Sequence, residues 1–230
     1  MIRKVYPFLL LYSLFFLAGA WLILTYTKAR LLLAVNGHFF ALGDAIMPYW
    51  TDWGDGGAAI GVVVLLIVFA RWRYGSAEAG RFGLLGGLVF AIPSLLSLFI
   101  KTHFFNNEPR PVTYFAATPE VLHHVAGVEL WKVDSFPSGH TITAFSMALL
   151  MVYLFTKSSR NAWPLSIALF VWACSVGYSR MYLAQHFFRD VYWGALIGVA
   201  SGMGSIWLGE ALWRLFTRKS AAPNDRRDGD

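Results

Sequence analysis

Three short stretches of the chain carry residue types that can bind and cut a phosphate. The first is Lys101 with Arg110-Pro111, the second Pro137-Ser138-Gly139-His140, and the third Ser179-Arg180 followed by His186 and Asp190. Arg110 and Arg180 can each grip two phosphate oxygens through the guanidinium fork, and Lys101 adds a point charge. Ser138-Gly139 opens an apolar run, and at a helix start free backbone N–H groups and the dipole favour an anion. His186 and Asp190 are four positions apart, so on a helix they share a face and the carboxylate can hold one imidazole nitrogen. That fixes the tautomer and leaves the other nitrogen free to attack, with His140 available to protonate a leaving oxygen. Phosphoryl transfer needs mainly positioning and charge stabilisation, and this set supplies both.

The elements that must position these residues are apolar. The chain has 230 residues, 57% hydrophobic and 17% aromatic but only 14% charged, against roughly 25% charged in soluble domains. Disordered and collagen-like chains are excluded, and an ordinary soluble enzyme is disfavoured. Six runs are candidates to cross a bilayer: 7–24, 56–70, 82–100, 141–156, 163–178 and 191–208. The expected fold is an all-α membrane protein of six transmembrane helices, in one domain over residues 1–220 with a disordered cytoplasmic tail at 221–230. With six alternating helices, Arg3, Lys4, Arg71, Arg73, Arg81, Lys157, Arg160 and the cations after Trp213 fall on one side. By the positive-inside rule both termini are cytoplasmic, and all three polar stretches meet outside. The net charge of +6 is therefore explained by membrane orientation rather than by nucleic acid, which is not expected as a partner.

Smaller features are read as follows. Arg3-Lys4, the apolar run and Ala18-Gly19-Ala20 have the layout of a cleavable signal, but the run continues through Trp21–Leu24, which favours an uncleaved span. Residues 28–55 read as an amphipathic segment at the interface, and residues 101–140 as a long functional loop. Asp44, Asp52 and Asp55 are expected as solvated or capping residues, and Glu108 as a neighbour that pairs with Arg110. His38, His123 and His124 are expected as interface histidines. Cys174 has no partner for a disulfide and is read as a packing residue. A metal at His186 and Asp190 is disfavoured because their companions are cationic.

The second and third stretches, Pro-Ser-Gly-His and Ser-Arg-x5-His-x3-Asp, resemble two signature motifs of the type 2 phosphatidic acid phosphatase superfamily. The resemblance covers roughly residues 80–208. It implies that His186 attacks phosphorus and forms a phosphohistidine, that Asp190 orients it, and that His140 donates a proton to the leaving group. It also implies that Lys101, Arg110, Ser138, Gly139 and Arg180 bind the phosphoryl oxygens, with no metal and no other cofactor. The chain departs from the family's first motif, which has six residues between lysine and Arg-Pro where this sequence has eight. At the usual spacing the lysine position would hold His103; a turn can absorb two residues, so Lys101 is preferred. The implied activity is hydrolysis of a lipid phosphate monoester or pyrophosphate. The substrate pool is phosphatidic acid, phosphatidylglycerol phosphate, polyprenyl pyrophosphate or a lipid A phosphate. The expected location is a bacterial inner membrane, with the site facing the periplasm or exterior and no obligatory protein partner. Transfer of the phosphate to another lipid, and anion or lipid transport, are the alternative readings.

Overall fold

The computed structural model describes residues 2–156 and 159–221. These residues form helices α1 (Ile2–Thr25), α2 (Lys28–Asn36), α3 (Ala41–Thr51), a 3-10 turn (Asp52–Gly54), α4 (Gly56–Tyr74), α5 (Ser76–His103), α6 (Pro111–Phe115), α7 (Gly139–Phe155), α8 (Ser159–Tyr182) and α9 (Phe188–Ala221). Among the described residues there is no strand. Six of the helices stand where the six apolar runs lie, and each reaches past its run at one end at least. Helical hydrogen bonds continue into polar flanks as readily as through apolar residues, so hydropathy alone places helix ends short. Of the tail expected at 221–230, only Ala221 is described, as the last residue of α9. Lys157 and residues 222–230 lie outside the described residues.

Helix α7 is the axis of the bundle and packs against α1, α5, α8 and α9. It buries residues on every face, including Ile142, Phe145, Leu149 and Val152, as expected of a helix that is apolar all round. The surrounding helices instead expose large apolar side chains outward, such as Leu14, Leu17 and Leu24 on α1, Leu65 on α4, Leu95 on α5 and Trp207 on α9. Such a belt is what a bilayer would cover. Helices α1, α4, α5, α8 and α9 are long and apolar enough to cross a membrane. At 17 residues α7 spans about 25 Å, less than the ~30 Å hydrocarbon core. A Cβ on Gly139 would lie 3.9 Å from Ser97 Oγ, and α5 runs on for six residues beyond Ser97 to His103. The start of α7 is thereby sunk by ~9 Å below the end of α5, among neighbouring helices.

Close backbone approach fixes α9 against α7. Gly194, Gly198 and Gly202 recur every fourth residue, and Cβ atoms there would lie 2.9 Å from Ser138 O, 2.5 Å from Ile142 O and 3.3 Å from Ser146 Cα. Small residues at this spacing let two helices touch main chain to main chain. At the end far from the three polar stretches, Arg81 of α5 joins Glu78 at 3.0 Å and also bonds Glu210 of α9, which accepts from Tyr153 Oη of α7 at 2.7 Å. Helices α7 and α9 are thus tied at both ends.

The segment expected to lie amphipathic at the interface is two helices: α2 and α3 turn by 114° and lie over the end of α8. Buried Asn36 stitches this cap to the 116–138 segment, donating to the His123 and Tyr182 carbonyls at 2.9 and 2.8 Å and accepting from His123 N at 2.9 Å. Asp55 caps α4 through Gly57 N at 2.7 Å, as expected of a capping residue. Asp44 instead accepts from Tyr182 Oη at 2.5 Å and meets His123 Nε2 at 2.8 Å. The hydroxyl donor, and after it the histidine, hold the Asp44 carboxyl below the usual carboxylate range.

Candidate active site

The three stretches converge where α7, α8 and α9 begin or end. Helix α8 closes at Tyr182, and the turn to α9 is made by Ala184 in the left-handed region, at φ +53°. The N–H groups of Gln185 and His186 both reach back to Arg180 O, at 2.8 and 3.2 Å. This turn carries His186 into the interior, where it is 2% exposed. Asp190 lies in the first turn of α9, and its Oδ2 accepts from Phe187 N at 3.0 Å and from Ser135 Oγ at 2.6 Å. Ser138 N donates to Asp190 O at 3.1 Å, which joins the start of α7 to the start of α9.

His186 Nδ1 faces Asp190 Oδ2 across 3.7 Å, longer than a hydrogen bond, and Nδ1 has no other partner. Its Nε2 lies 3.4 Å from Arg110 Nη1. A guanidinium can only donate, so the lone pair is on Nε2 and the imidazole proton on Nδ1, towards the carboxylate. Burial, and after it Arg110, Arg180, Lys101 and His140, hold His186 well below the usual histidine range. The imidazole is therefore neutral near pH 7, with its lone pair turned to the cations.

Those cations are oriented by neutral acceptors. Lys101 Nζ donates to Asp134 O at 2.7 Å, and Arg110 Nη2 donates to the same oxygen at 3.3 Å. Arg110 also donates from Nε to Val133 O at 2.8 Å and from Nη1 to the backbone and side-chain oxygens of Gln185 at 3.2 and 3.3 Å. Arg180, 7% exposed, donates from Nη1 to Thr51 Oγ1 at 2.7 Å, while its buried Nε has no partner. Burial draws the Arg110 pKa down, partly offset by Asp190 and Asp134, yet a guanidinium keeps its charge. Among the described residues none of the three cations is in an ion pair.

The two-residue difference in the first motif is taken up by the 104–109 turn, with Asn107 at φ +62° and its N–H on Asp134 Oδ1 at 3.1 Å. Lys101 stays with the group, whereas His103 is exposed, stacked on Phe99 with a centroid distance of 4.4 Å. Glu108 does not pair with Arg110 as expected. It bonds Arg189 at 2.6 Å, because Arg110 is turned inward onto carbonyls. Ser138 is fully buried and accepts from Thr141 Oγ1 at 2.9 Å, with its N–H already taken by Asp190 O. No side chain caps α7, so at the helix start the N–H groups of Gly139, His140 and Thr141 are the ones without an intrahelical partner. Three contributors escaped the sequence reading. Ser135 and Thr51 meet their partners 55 and 129 positions away, which no local pattern signals. Gln185 adjoins His186 and could have been suspected from that alone; its Nε2 also donates to Glu129 O at 2.7 Å.

His140 lines two cavities. One, of about 310 Å³, runs between α4, α5 and α7 past Phe90, Ser94, Leu98 and Lys101. The other, of about 270 Å³, lies under residues 127–131 and against the end of α3, and reaches Thr51, Arg180 and Gln185.

This geometry has relatives. The Aquifex aeolicus LpxE structure matches 80% of this chain and 98% of its own at 26% identity, with a TM-score of 0.62. A Bacillus subtilis transmembrane PAP2-type phosphatidylglycerolphosphate phosphatase shares the fold over 98% of this chain and all of its own, at 21% identity and a TM-score of 0.56. Phosphatidylglycerophosphatase B of Escherichia coli is 42% identical over 86 residues, which is 36% of this chain and 33% of that protein. Bacitracin transport permease protein BcrC of Bacillus licheniformis is 32% identical over 121 residues, 52% of each chain. Lipid A 1-phosphatase of Porphyromonas gingivalis is 36% identical over 81 residues, 35% of this chain. The matched segments thus span between 18% and 52% of these curated relatives. The profile of the PAP2 superfamily matches residues 82–214, which hold all three polar stretches. An integral membrane protein of helical architecture, the chain belongs to the PAP2 superfamily.

Proposed function

We propose that the chain hydrolyses lipid phosphates in two steps through a phosphohistidine on His186. The observation that carries this reading is the gathering of Lys101, Arg110 and Arg180, none in an ion pair among the described residues, about a buried histidine whose Nε2 faces Arg110. A phosphoryl group between them takes the place of the missing carboxylates. In the first step the Nε2–P bond forms and the P–O bond to the lipid breaks, and the leaving oxygen takes a proton from His140, which enters the step as the imidazolium favoured by the phosphate dianion beside it. In the second, water attacks phosphorus, the N–P bond breaks and the proton of water returns to His140. The products are the dephosphorylated lipid and phosphate, and no metal takes part. Asp190 keeps the developing imidazolium charge balanced and the ring oriented. The apolar walls of the larger cavity suit a substrate whose phosphate enters the site while its tail remains in the bilayer. Phosphatidic acid, phosphatidylglycerol phosphate, polyprenyl pyrophosphate and lipid A phosphates are the candidate substrates.

The topology proposed with this reading has six crossings, both termini in the cytoplasm and the site facing outward. The cation excess at the opposite ends of the helices supports it. A transport reading, suggested by the name of the Bacillus licheniformis relative, offers no use for a nucleophilic nitrogen facing unpaired cations. One experiment separates the readings: phosphate release by detergent-purified protein from a panel of lipid phosphates with EDTA present, with His186→Ala alongside. Release that survives EDTA and is absent in the variant is expected. No release from any lipid by folded protein would overturn hydrolysis and favour phosphotransfer or transport.

A further inference from the structure

The two cavities that meet at His140 differ in charge. Setting histidine aside, the ionisable groups lining the larger are Asp55 and Lys101, which sum to zero. Those lining the smaller are Asp52, Glu129 and Arg180, which sum to −1. The two parts of the smaller cavity also differ in depth. Asp52 and Glu129 are exposed and in no ion pair among the described residues, whereas Arg180 is buried with its Nε unpartnered. The larger cavity follows α5 and α7, with Phe90, Leu98 and Ile142 along it; the smaller opens between the end of α3, Asp52 and the 127–131 segment, with Arg180 and Gln185 at its inner end.

We propose that the smaller cavity is a water-side port to the site and that Asp52 and Glu129 make it selective against soluble phosphate dianions. The inference rests on the phosphatase reading and adds to it a basis for preferring lipid over soluble esters. A phosphate arriving from water meets two carboxylates before it reaches Arg180, whereas water passes without penalty. A lipid phosphate, brought along the larger cavity, meets Lys101 and Asp55, whose charges cancel, and avoids Asp52 and Glu129. Field effects of this kind act mainly on charged solutes, weaken with ionic strength and leave neutral ones unaffected.

The test compares Asp52→Asn, Glu129→Gln and the double variant, all conservative changes at exposed positions. Soluble p-nitrophenyl phosphate and detergent-dispersed phosphatidic acid are the two substrates. Orthophosphate binding is followed separately by the fluorescence of Trp131, which lines the port. In the double variant, kcat/KM for the soluble ester and the affinity for orthophosphate rise about five-fold or more at low salt, and the gain shrinks as salt is added. The kcat/KM for phosphatidic acid stays within about two-fold. Equal gains for both substrates would overturn the port, since the acids would then act on the reacting groups themselves. Unchanged values for both, or no orthophosphate binding by any form, would overturn it too. A wild-type protein that binds orthophosphate but hydrolyses neither ester refutes the phosphatase reading alone. The port then stands or falls on whether the double variant binds orthophosphate more tightly.

Discussion

The contact between α7 and α9 can be tested by adding one methyl group. A Cβ on Gly198 would lie 2.5 Å from Ile142 O, 3.1 Å from Ile142 Cα and 3.2 Å from its carbonyl carbon. All three are main-chain atoms of a helix, so no rotamer change relieves the overlap. Restoring an ordinary C···O separation of about 3.3 Å requires the helices to part by ~0.8 Å. The two helices carry different halves of the site: His140 on α7, and Asp190 with the preceding His186 at the start of α9. A displacement near 1 Å between reacting groups costs up to about 100-fold, so Gly198→Ala should lower kcat by roughly 30- to 100-fold. Overpacking of about 1–3 kcal/mol is partly offset by the roughly 1 kcal/mol that alanine gains over glycine within a helix. The protein should therefore fold, with a Tm somewhat below wild type. Gly204 on the same helix is the control, because a Cβ there meets nothing within 4 Å. Gly204→Ala should keep full activity and melt at the same temperature or higher. The assays are phosphate release from dispersed phosphatidic acid and thermal unfolding in detergent. Wild-type kcat and Tm in Gly198→Ala would refute the claim that this contact sets the distance between the two halves.

Three further outcomes follow from the site. Ser135→Ala removes the 2.6 Å donor to Asp190 Oδ2 and leaves only Phe187 N, so kcat/KM should fall about ten-fold; an unchanged value would mean that Ser135 does not hold the carboxylate. Thr51→Val deprives Arg180 Nη1 of its acceptor and should raise KM for phosphatidic acid by roughly five-fold with a smaller effect on kcat, read from steady-state kinetics. His186 must be neutral to attack, and its pKa is held well below the ordinary value by burial and then by the cations. The neutral form accordingly persists as pH falls below about 6.5, and the acid limb of kcat/KM should lie under that value. An acid limb at or above it would contradict the buried, cation-flanked position.

What could be read from the residues and what could not separates along a physical line. The apolar runs located six helices because burial in lipid demands long uncharged segments; His186 and Asp190 stood out by their spacing, but His186 lies in the turn before α9 and not on a shared helical face. Chains of contact that skip between elements left no such trace. The hydroxyl of Ser135 and the one of Thr51 become site residues only when α7, α9, the 104–138 segment and α3 are folded together. The pairing of Glu108 went to Arg189 rather than to nearby Arg110, because adjacency in sequence says nothing about which way a guanidinium turns. Likewise the 114° bend between α2 and α3 is fixed by Asn36, Asp44 and Tyr182 meeting His123, contacts invisible to periodicity. The two extra residues of the first motif were legible as an ambiguity, and the turn at Asn107 leaves Lys101 on the carbonyl it shares with Arg110 and His103 exposed.

The choice of acceptors explains how the cations can be both ordered and available. A carboxylate beside Arg110 or Lys101 would hold it firmly but cancel its charge and occupy the donor positions that a phosphate must fill. The carbonyls of Val133 and Asp134, the oxygens of Gln185 and the hydroxyl of Thr51 accept hydrogen bonds without carrying a formal charge. Holding Asp134 so that its carbonyl serves both Lys101 and Arg110 takes a left-handed backbone, at φ +60°, whose strain is balanced by the bond from Asn107 N to its own side chain. The carboxylate of Asp190 is turned to Ser135, Phe187 N and the Nδ1 side of His186 instead. In the proposed reaction its charge supports His186 from behind, and it pairs with none of Lys101, Arg110 and Arg180. Three cations gathered without an ion pair among the described residues repel one another, and in the proposed reaction a phosphoryl group relieves that repulsion at the same moment as it is brought in front of Nε2.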